Sequence, residues 1–238
     1  VRQNNVVWLG FMMVFVYFDK NDKINFSNIL KIVKLCWVFV LGIIIAIIFF
    51  VLNRGFAFGD KAMHTGGIYF GNVFFALFLF FFLFLPLNIF NFKRVIGLVR
   101  NKFILFVIIT LFVIYMRFFA VTHPYNFIAP DYFLRNRILQ YFNVIWIKAI
   151  LFLPVIYSFL SLCATKLRRK PFYLLYIFSF LFLLPSWLIE QRYYLIPFSL
   201  FILFKKEENK LVENLTIVIY LVSSVLLFYF IGIGRYFL

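Results

Sequence analysis

Long apolar runs separated by short polar gaps divide the chain, and this pattern constrains its fold more than any other feature. A run of about 18 apolar residues is long enough to cross the roughly 30 Å hydrocarbon core of a bilayer as a helix. Such runs recur along most of the 238 residues. Because a helix satisfies its own backbone hydrogen bonds within lipid, the sequence predicts an all-α, polytopic transmembrane protein.

The runs predict about seven spans and one truncated helix at the start, which ends near residue 18. Since residues 6–18 are too short to span, we expect the chain to be the C-terminal portion of a longer protein. No linker divides it, so one transmembrane domain is expected over residues 1–238. The segment 193–204 is either a half-helix or starts earlier, near Ser186. The spans are placed at about 35–52, 67–87, 103–121, 138–163, 172–189, 193–204 and 214–234.

Lysine and arginine concentrate in every second gap, at 18–34, 93–102, 166–170 and 205–210. Basic loops remain in the cytosol, so these gaps are predicted to be cytosolic. The remaining loops at 53–66, 122–137 and 190–192 then lie on the opposite, lumenal side. Topology and anionic lipid headgroups account for the net charge of +16, and we expect no nucleic-acid binding.

The first lumenal gap places Asp60, Lys61 and His64 among several glycines. Glycine amides and Lys61 are suited to hold an anion, while Asp60 and His64 are suited to accept hydroxyl protons. Because Asp60 and His64 are four residues apart, one helical face could carry both. These residues indicate a site for a phosphate or for sugar hydroxyls. The alternative is a capped loop in which Asp60 begins the next helix.

The second lumenal gap carries His123 between Thr122 and Pro124, and Arg117 lies one helical turn before it. Two prolines favour an extended, rigid segment. An arginine within a membrane helix usually faces a polar cavity or a lipid phosphate. Arg117 is therefore a candidate ligand-binding residue, and its alternative is to extend to the headgroups as an ordinary interfacial arginine.

The third lumenal gap is the shortest and places Glu190, Arg192 and Tyr193 together. This combination suits recognition of a polar ligand near the membrane interface. It is also compatible with a surface ion pair or with an aromatic belt at the headgroups.

Lys148 lies ten residues into the predicted span 138–163. An intramembrane lysine indicates function, here contact with a lipid-carried phosphate, unless the span begins later than predicted. The two histidines lie in different loops, so neither a metal site nor a cofactor is expected.

Several short motifs occur in an order that resembles a known family. They are Arg2-Gln3-Asn4-Asn5-Val-Val-Trp8, Gly59-Asp60-Lys61-x-x-His64, His123-Pro124-Tyr125, Lys148 with Pro154 and Tyr157, and Glu190-x-Arg192-Tyr193 with Pro197. Together they resemble the endoplasmic-reticulum, dolichyl-phosphate-glucose-dependent α-1,2-glucosyltransferase family, which adds the terminal glucose to the lipid-linked oligosaccharide. Two segments depart from the family pattern: Tyr69-Phe70-Gly71-Asn72 and the run that ends in Asp131-Tyr132.

The resemblance implies a GT-C-like fold in the endoplasmic-reticulum membrane and a hexosyltransferase acting in protein N-glycosylation. The implied partners are the donor dolichyl-phosphate glucose, the acceptor dolichol-diphosphate-linked oligosaccharide and membrane lipid. In the enzymes of this family the catalytic base is an acidic residue in their own first lumenal loop. The resemblance implies that this loop is not among these 238 residues and is distinct from the gap 53–66, so no catalytic base is assigned. The expected substrate-binding residues are Asp60, Lys61, His64, Arg117, His123, Tyr132, Lys148, Glu190, Arg192 and Tyr193.

Two other functional classes fit parts of the sequence. A transporter or channel would line its path with polar residues at mid-depth of several spans, where only Lys148 qualifies. A non-catalytic scaffold explains the basic loops but gives no reason for the grouped histidines and carboxylates. Chemistry at one membrane face is therefore the favoured interpretation.

Overall fold

The computed structural model describes residues 3–20, 25–53, 67–127 and 137–233. Regular structure within these ranges is helical, which confirms the predicted all-α fold. Short 3-10 helices occur at Gln3–Asn5, Lys170–Tyr173 and Gln191–Tyr194. The α-helices are α1 (Val6–Lys20), α2 (Phe26–Leu35), α3 (Trp37–Asn53), α4 (Gly71–Leu83), α5 (Leu85–Phe90), α6 (Phe92–Val99), α7 (Lys102–Phe118), α8 (Pro124–Phe127), α9 (Arg137–Tyr141), α10 (Ile145–Ala164), α11 (Leu174–Leu183), α12 (Leu195–Phe204) and α13 (Lys210–Gly232).

Membrane-spanning capacity in the described part of the chain is clearest for α10 and α13, which are long and apolar enough to cross a bilayer. Two further pairs qualify if each bent pair is counted as one span. The axes of α2 and α3 meet at 85°, and those of α6 and α7 meet at 95°. The described residues therefore hold two to four candidate spans.

Several predicted spans are interrupted in the structure. The segment 67–87 breaks at Phe84, because Pro86 cannot continue the hydrogen-bond ladder of α4. The segment 138–163 breaks between α9 and α10, where the N–H groups of residues 142–144 bond carbonyls only three positions back. These tight turns end α9, so α10 begins at Ile145. Lys148 therefore lies in the first turn of α10 and not ten residues into a helix, which confirms the alternative that this helix begins later than 138.

The predicted spans 172–189 and 193–204 are shorter in the structure. Helix α11 ends at Leu183, just before Pro185, and the chain runs without helix from Ser186 to Glu190. A 3-10 turn follows, and α12 then occupies only Leu195–Phe204. Helix α12 is thus short, with ten residues, and does not begin near Ser186.

The described residues divide into two compact units, each with its own packing. The first unit comprises Val1–Tyr69, Leu167–Trp187 and Leu195–Phe204. In it, α1 packs against α3 and α11. Phe15 of α1 also stacks on Phe172 and Phe204, whose rings are centred 4.0 Å apart. Near the start of α1, the Asn4 amide donates a 2.7 Å hydrogen bond to the Ser186 hydroxyl.

The second unit comprises Phe70–Lys166, Leu188–Tyr194 and Lys205–Leu238. Helix α10 is its centre and packs against α4, α6 and α7, while α13 packs against α5. Buried polar groups join these helices: the Asn91 amide donates to the hydroxyls of Ser161 at 3.1 Å and Thr165 at 2.9 Å. Such hydrogen bonds hold helices together in lipid, where the hydrophobic effect between them is weak.

Candidate functional site

Two buried asparagines hold the extended segment 188–190 within the second unit. The Asn72 amide, in the first turn of α4, donates to the Leu188 carbonyl at 2.8 Å, and its side-chain oxygen accepts from the Glu190 N–H at 3.2 Å. The Asn126 amide donates to the Ile189 carbonyl at 2.9 Å, and its oxygen accepts from the Ile189 N–H at 3.0 Å. These side chains satisfy the backbone of a segment that has no helix or sheet of its own.

Gly71 allows α4 to approach this segment closely. A Cβ atom at Gly71 would lie 2.7 Å from the Cδ1 and 2.9 Å from the Cγ1 of Ile189, closer than real Cβ atoms come to any neighbour. It would also lie 3.9 Å from the Ala120 carbonyl. A larger residue would therefore push the segment away and lengthen the hydrogen bonds of Asn72.

Glu190 and Arg192 form an ion pair that is buried at one end and open at the other. The Glu190 side chain is 1% exposed and that of Arg192 is 65% exposed, with Nε of the arginine donating to the carboxylate. A buried carboxylate needs such a partner, because desolvation of an unpaired charge is costly. Since most of Arg192 is exposed, its remaining guanidinium N–H groups can reach an anionic ligand.

Tyr193 and Tyr194 follow this pair in the 3-10 turn that precedes α12. The Tyr194 hydroxyl is buried and donates to the Asn72 side-chain oxygen at 2.8 Å. Burial raises the pKa of Tyr194 well above its usual range, and nearby Tyr193 and Glu190 add to the shift. The hydroxyl is therefore a neutral donor at physiological pH. The Tyr193 N–H donates to the Glu190 carbonyl at 3.2 Å and closes the turn.

His123 is fully buried at the start of the turn that presents Asn126. Its Nδ1 accepts a hydrogen bond from the Tyr125 N–H at 3.1 Å, and its carbonyl accepts from the Asn126 N–H at 2.9 Å. Because Nδ1 is an acceptor in this geometry, a neutral ring carries its proton on Nε2. In the described structure His123 thus shapes the chain that positions Asn126.

The ammonium of Lys148, a residue of α10, reaches the C-terminal end of α7, where Arg117 also lies. The Lys148 ammonium donates to the Met116 carbonyl at 2.9 Å and to the Phe119 carbonyl. In return, the Tyr115 hydroxyl donates to the Lys148 carbonyl at 3.0 Å. A cation there satisfies terminal carbonyls and interacts favourably with the helix dipole. Arg117 is exposed, with its guanidinium 5.9 Å from the centre of the Phe118 ring.

The structure thus brings some of the expected site residues together and leaves others apart. Glu190, Arg192 and Tyr193 share one turn, and His123 joins them through Asn126. Arg117 and Lys148 share the end of α7, where the described contacts link them to that helix. Four expected residues lie outside the described ranges: Asp60, Lys61, His64 and Tyr132. Within the described ranges, no three His, Cys, Asp or Glu side chains come together as metal ligands would.

Sequence reasoning missed Asn72, Asn126 and Tyr194, which hold the segment in place. One signal was available for Asn72, which lies at the start of an apolar run. A buried amide in apolar surroundings is costly unless it is hydrogen-bonded, so its presence there indicates a specific partner.

Comparison with known proteins relates the chain to one family. The family model described as DIE2/ALG10 matches residues 14–203. A Candida albicans protein named Dol-P-Glc:Glc(2)Man(9)GlcNAc(2)-PP-Dol alpha-1,2-glucosyltransferase is 27% identical over 235 residues, covering 89% of this chain and 51% of that protein. A human protein of the same name is 25% identical over 187 residues, covering 74% of this chain and 39% of that protein.

An Arabidopsis thaliana protein of that name is 29% identical over 171 residues, covering 66% of this chain and 33% of that protein. The chain therefore spans about half the length of the Candida relative and about a third of the plant one. No solved structure matches the chain. The family match runs from within α1 to the last turn of α12. It includes the segment 188–190 and the two asparagines that hold it, Asn72 and Asn126. The chain belongs to the DIE2/ALG10 family.

Proposed function

We propose that the protein containing this chain transfers glucose from dolichyl-phosphate glucose to the diglucosylated, dolichol-diphosphate-linked oligosaccharide. The new linkage is α-1,2, and the product serves protein N-glycosylation. Family membership and the shared name of the relatives support this reaction. The structural observation that carries the proposal is the exposed guanidinium of Arg192, fixed at its base by the buried carboxylate of Glu190.

The proposed setting is the endoplasmic-reticulum membrane. About seven spans in a GT-C-like arrangement form one transmembrane domain over residues 1–238, as part of a longer protein. The loops 53–66, 122–137 and 190–192 face the lumen in this arrangement. Support comes from the basic gaps of the sequence and from the candidate spans of the described residues.

Positive charge is needed where the donor phosphate leaves. In an inverting transfer, a base takes the proton of the 2-hydroxyl on the acceptor glucose, and that oxygen attacks the anomeric carbon of the donor. The bond from this carbon to the phosphate oxygen breaks, so the β-linked donor gives an α-linked product. Arg192 stabilises the charge that develops on the leaving phosphate. Arg117, Lys61 and Lys148 are proposed to add to the positive electrostatic potential at the leaving phosphate.

Sugar hydroxyls are proposed to contact a second set of residues. Glu190 belongs to the segment 188–190, and His123 lies close to it in the turn of Asn126. Asp60, His64 and Tyr132 belong to the loops that are proposed to face the same side of the membrane. Tyr193 completes the set at the start of α12. No residue of this chain is proposed as catalytic base, for which an acidic residue outside these 238 residues is proposed.

The transporter alternative depended on Lys148 as a cation at mid-depth. The structure places this lysine in the first turn of α10, where its ammonium bonds two carbonyls of the α7 terminus. That position gives Lys148 a structural partner and removes the observation on which the alternative depended.

The test is glucose transfer by variants of the complete protein in microsomes supplied with dolichyl-phosphate glucose and a diglucosylated acceptor. Arg192→Lys keeps a cation beside Glu190 but loses the guanidinium fork, and we expect transfer to fall at least tenfold at equal protein level. A second variant, Arg192→Ala with Glu190→Ala, removes the buried charge together with its partner and is expected to be inactive.

Arg169→Ala is the matched control. Arg169 is also exposed and also paired with a carboxylate, that of Asp19 at 2.9 Å, but it lies in the basic gap 166–170. We expect this variant to transfer glucose normally. Full transfer by both Arg192 variants would overturn the proposed site.

A further inference from the structure

Helix α6 presents a different chemical character on each of its sides. Phe92, Ile96 and Val99 are 54%, 41% and 40% exposed, and their spacing of four and three residues puts them on one side. Val95 lies on a second side and is buried. An apolar side left open next to a buried one indicates contact with hydrocarbon rather than with water.

The third side of α6 is basic. Lys93 and the C-terminal cap residue Arg100 are seven positions apart and therefore lie on one side, next to Ile96, and both are exposed. Arg94 differs from them, because it pairs with Glu208 and also donates to the Asn91 side chain at 3.3 Å. Lys93 and Arg100 are therefore exposed cations at the edge of the apolar side.

The direction of α6 fits the plane of a membrane. Its axis makes an angle of 95° with that of α7, the apolar helix that follows it after a two-residue turn. If α7 crosses the bilayer, α6 lies along the surface, with Phe92 and Ile96 towards the acyl chains and Lys93 towards water. This is the arrangement of an interfacial amphipathic helix.

Helix α2 in the first unit is built in the same way. Phe26, Leu30 and Val33 repeat the exposed apolar side at the same spacing, and Ile32 is buried. Lys31 and Lys34 are exposed on the remaining side, together with the last residue of the helix, Leu35. The axis of α2 meets that of the apolar helix α3 at 85°. The same combination of sides and bend therefore occurs twice among the described residues, once in each unit.

We propose that α6 and α2 are interfacial helices that bind anionic phospholipid headgroups. The apolar side of each helix lies among the upper acyl chains, and its two basic residues bind headgroup phosphates and carboxylates. Charge complementarity selects the lipid, because each Lys or Arg close to an anionic surface strengthens attraction about fivefold. This inference goes beyond the proposed transfer reaction and does not depend on it.

The position of α6 is tested by electron paramagnetic resonance on the complete protein in nanodiscs. Single nitroxides are placed at residues 92–99 in a cysteine-free background, and collisions with oxygen and with a water-soluble nickel chelate are compared. We expect the oxygen-to-nickel ratio to peak at positions 92, 96 and 99 and to be lowest at 93 and 97. Low access to both reagents at 92, 96 and 99 means protein covers the helix. That outcome, or high nickel access there, overturns the proposal.

The headgroup is tested with a bimane label at position 96 and brominated lipids. Phosphatidylserine should quench the label more strongly than phosphatidylcholine at the same mole fraction. Lys93→Gln with Arg100→Gln should remove this preference, whereas the charge-preserving pair Lys93→Arg with Arg100→Lys should keep it. A label at Ile150, an exposed residue of α10, is the control and should show no preference. Equal quenching by both lipids at position 96 overturns headgroup binding.

Discussion

Asn126 and Ile189 exchange two hydrogen bonds, of 2.9 Å and 3.0 Å, in which a side-chain amide takes the place of the backbone of a neighbouring strand. The backbone of Ile189 thereby makes the two hydrogen bonds that a residue of a paired β-strand would make, although no sheet is present in the described residues. Because Glu190 follows directly, the orientation of its carboxylate depends on an asparagine that lies 63 positions from Ile189 along the chain.

Replacing Asn126 by alanine should therefore affect stability and transfer together. The change leaves the N–H and carbonyl of Ile189 buried without partners, each at a cost of about 1–3 kcal/mol. We expect a clear fall in the thermal unfolding midpoint of the detergent-solubilised protein. Asn143→Ala is the control, since Asn143 is exposed, and should change stability by less than about 0.5 kcal/mol. Equal midpoints for both variants would contradict the role of Asn126 in holding the segment 188–190.

Replacing Gly71 by alanine should displace Ile189. Overpacking of this kind costs about 1–3 kcal/mol when the neighbours are buried. The additional change Ile189→Ala should recover part of the loss, because it removes both side-chain atoms that lie within 3 Å of the new Cβ. A double-mutant cycle on unfolding free energies measures this coupling.

Gly97 is the control position for Gly71, because the same substitution is expected to have the opposite effect on stability there. A Cβ there meets nothing within 4 Å, so Gly97→Ala should stabilise α6 by about 0.5–1 kcal/mol. If Gly71→Ala and Gly97→Ala changed stability in the same direction, the close approach of α4 to the segment would not be what makes Gly71 necessary.

Replacing Lys148 by methionine separates its structural contacts from any role in substrate binding. The variant leaves the carbonyls of Met116 and Phe119 without their cation, so we expect a lower thermal midpoint. Tyr115→Phe removes only the bond to the Lys148 carbonyl and should cost about 1 kcal/mol. Transfer assays at a temperature where both variants are folded then compare them. A loss of transfer in Lys148→Met but not in Tyr115→Phe supports binding of the donor phosphate by Lys148. Equal transfer by the two variants refutes that role.

Glycosylation mapping tests the predicted topology. The natural acceptor sequence Asn25-Phe-Ser lies in the gap 18–34, which is assigned to the cytosol, and Asn214-Leu-Thr lies near the start of α13, at the end assigned to the cytosol; neither should carry sugar. Acceptor sites introduced into 53–66 should be glycosylated and should lose mobility shift after endoglycosidase treatment. Sugar on Asn25 or Asn214 would invert the assignment of every loop.

The helical fold was predictable because apolar runs of membrane length leave the backbone few other choices. The break at Phe84 follows from Pro86, which is visible in the sequence. The break at residues 142–144 was not predictable, because two of these three residues are apolar and the third, Asn143, is not a helix breaker. Tertiary packing rather than local composition decides where such a helix ends.

The site divides in a similar way. Glu190 and Arg192 were found because opposite charges two residues apart stand out in an apolar sequence. Asn72 was passed over as a departure from a family pattern, yet its amide contacts the Leu188 carbonyl across 116 positions. Hydrogen bonds from side chains to a distant backbone leave no periodic trace in a sequence, so only the structure reveals them.

The unequal exposure of Glu190 and Arg192 bears on how tightly an anion can be held. A free surface arginine samples many rotamers and loses that freedom when a ligand arrives, whereas this one is already tethered through Nε. The ordering occurs once, when the chain folds, and does not recur at each encounter. A guanidinium prepared in this way should give fast capture with a small entropic penalty, even though its neighbour partly neutralises its charge.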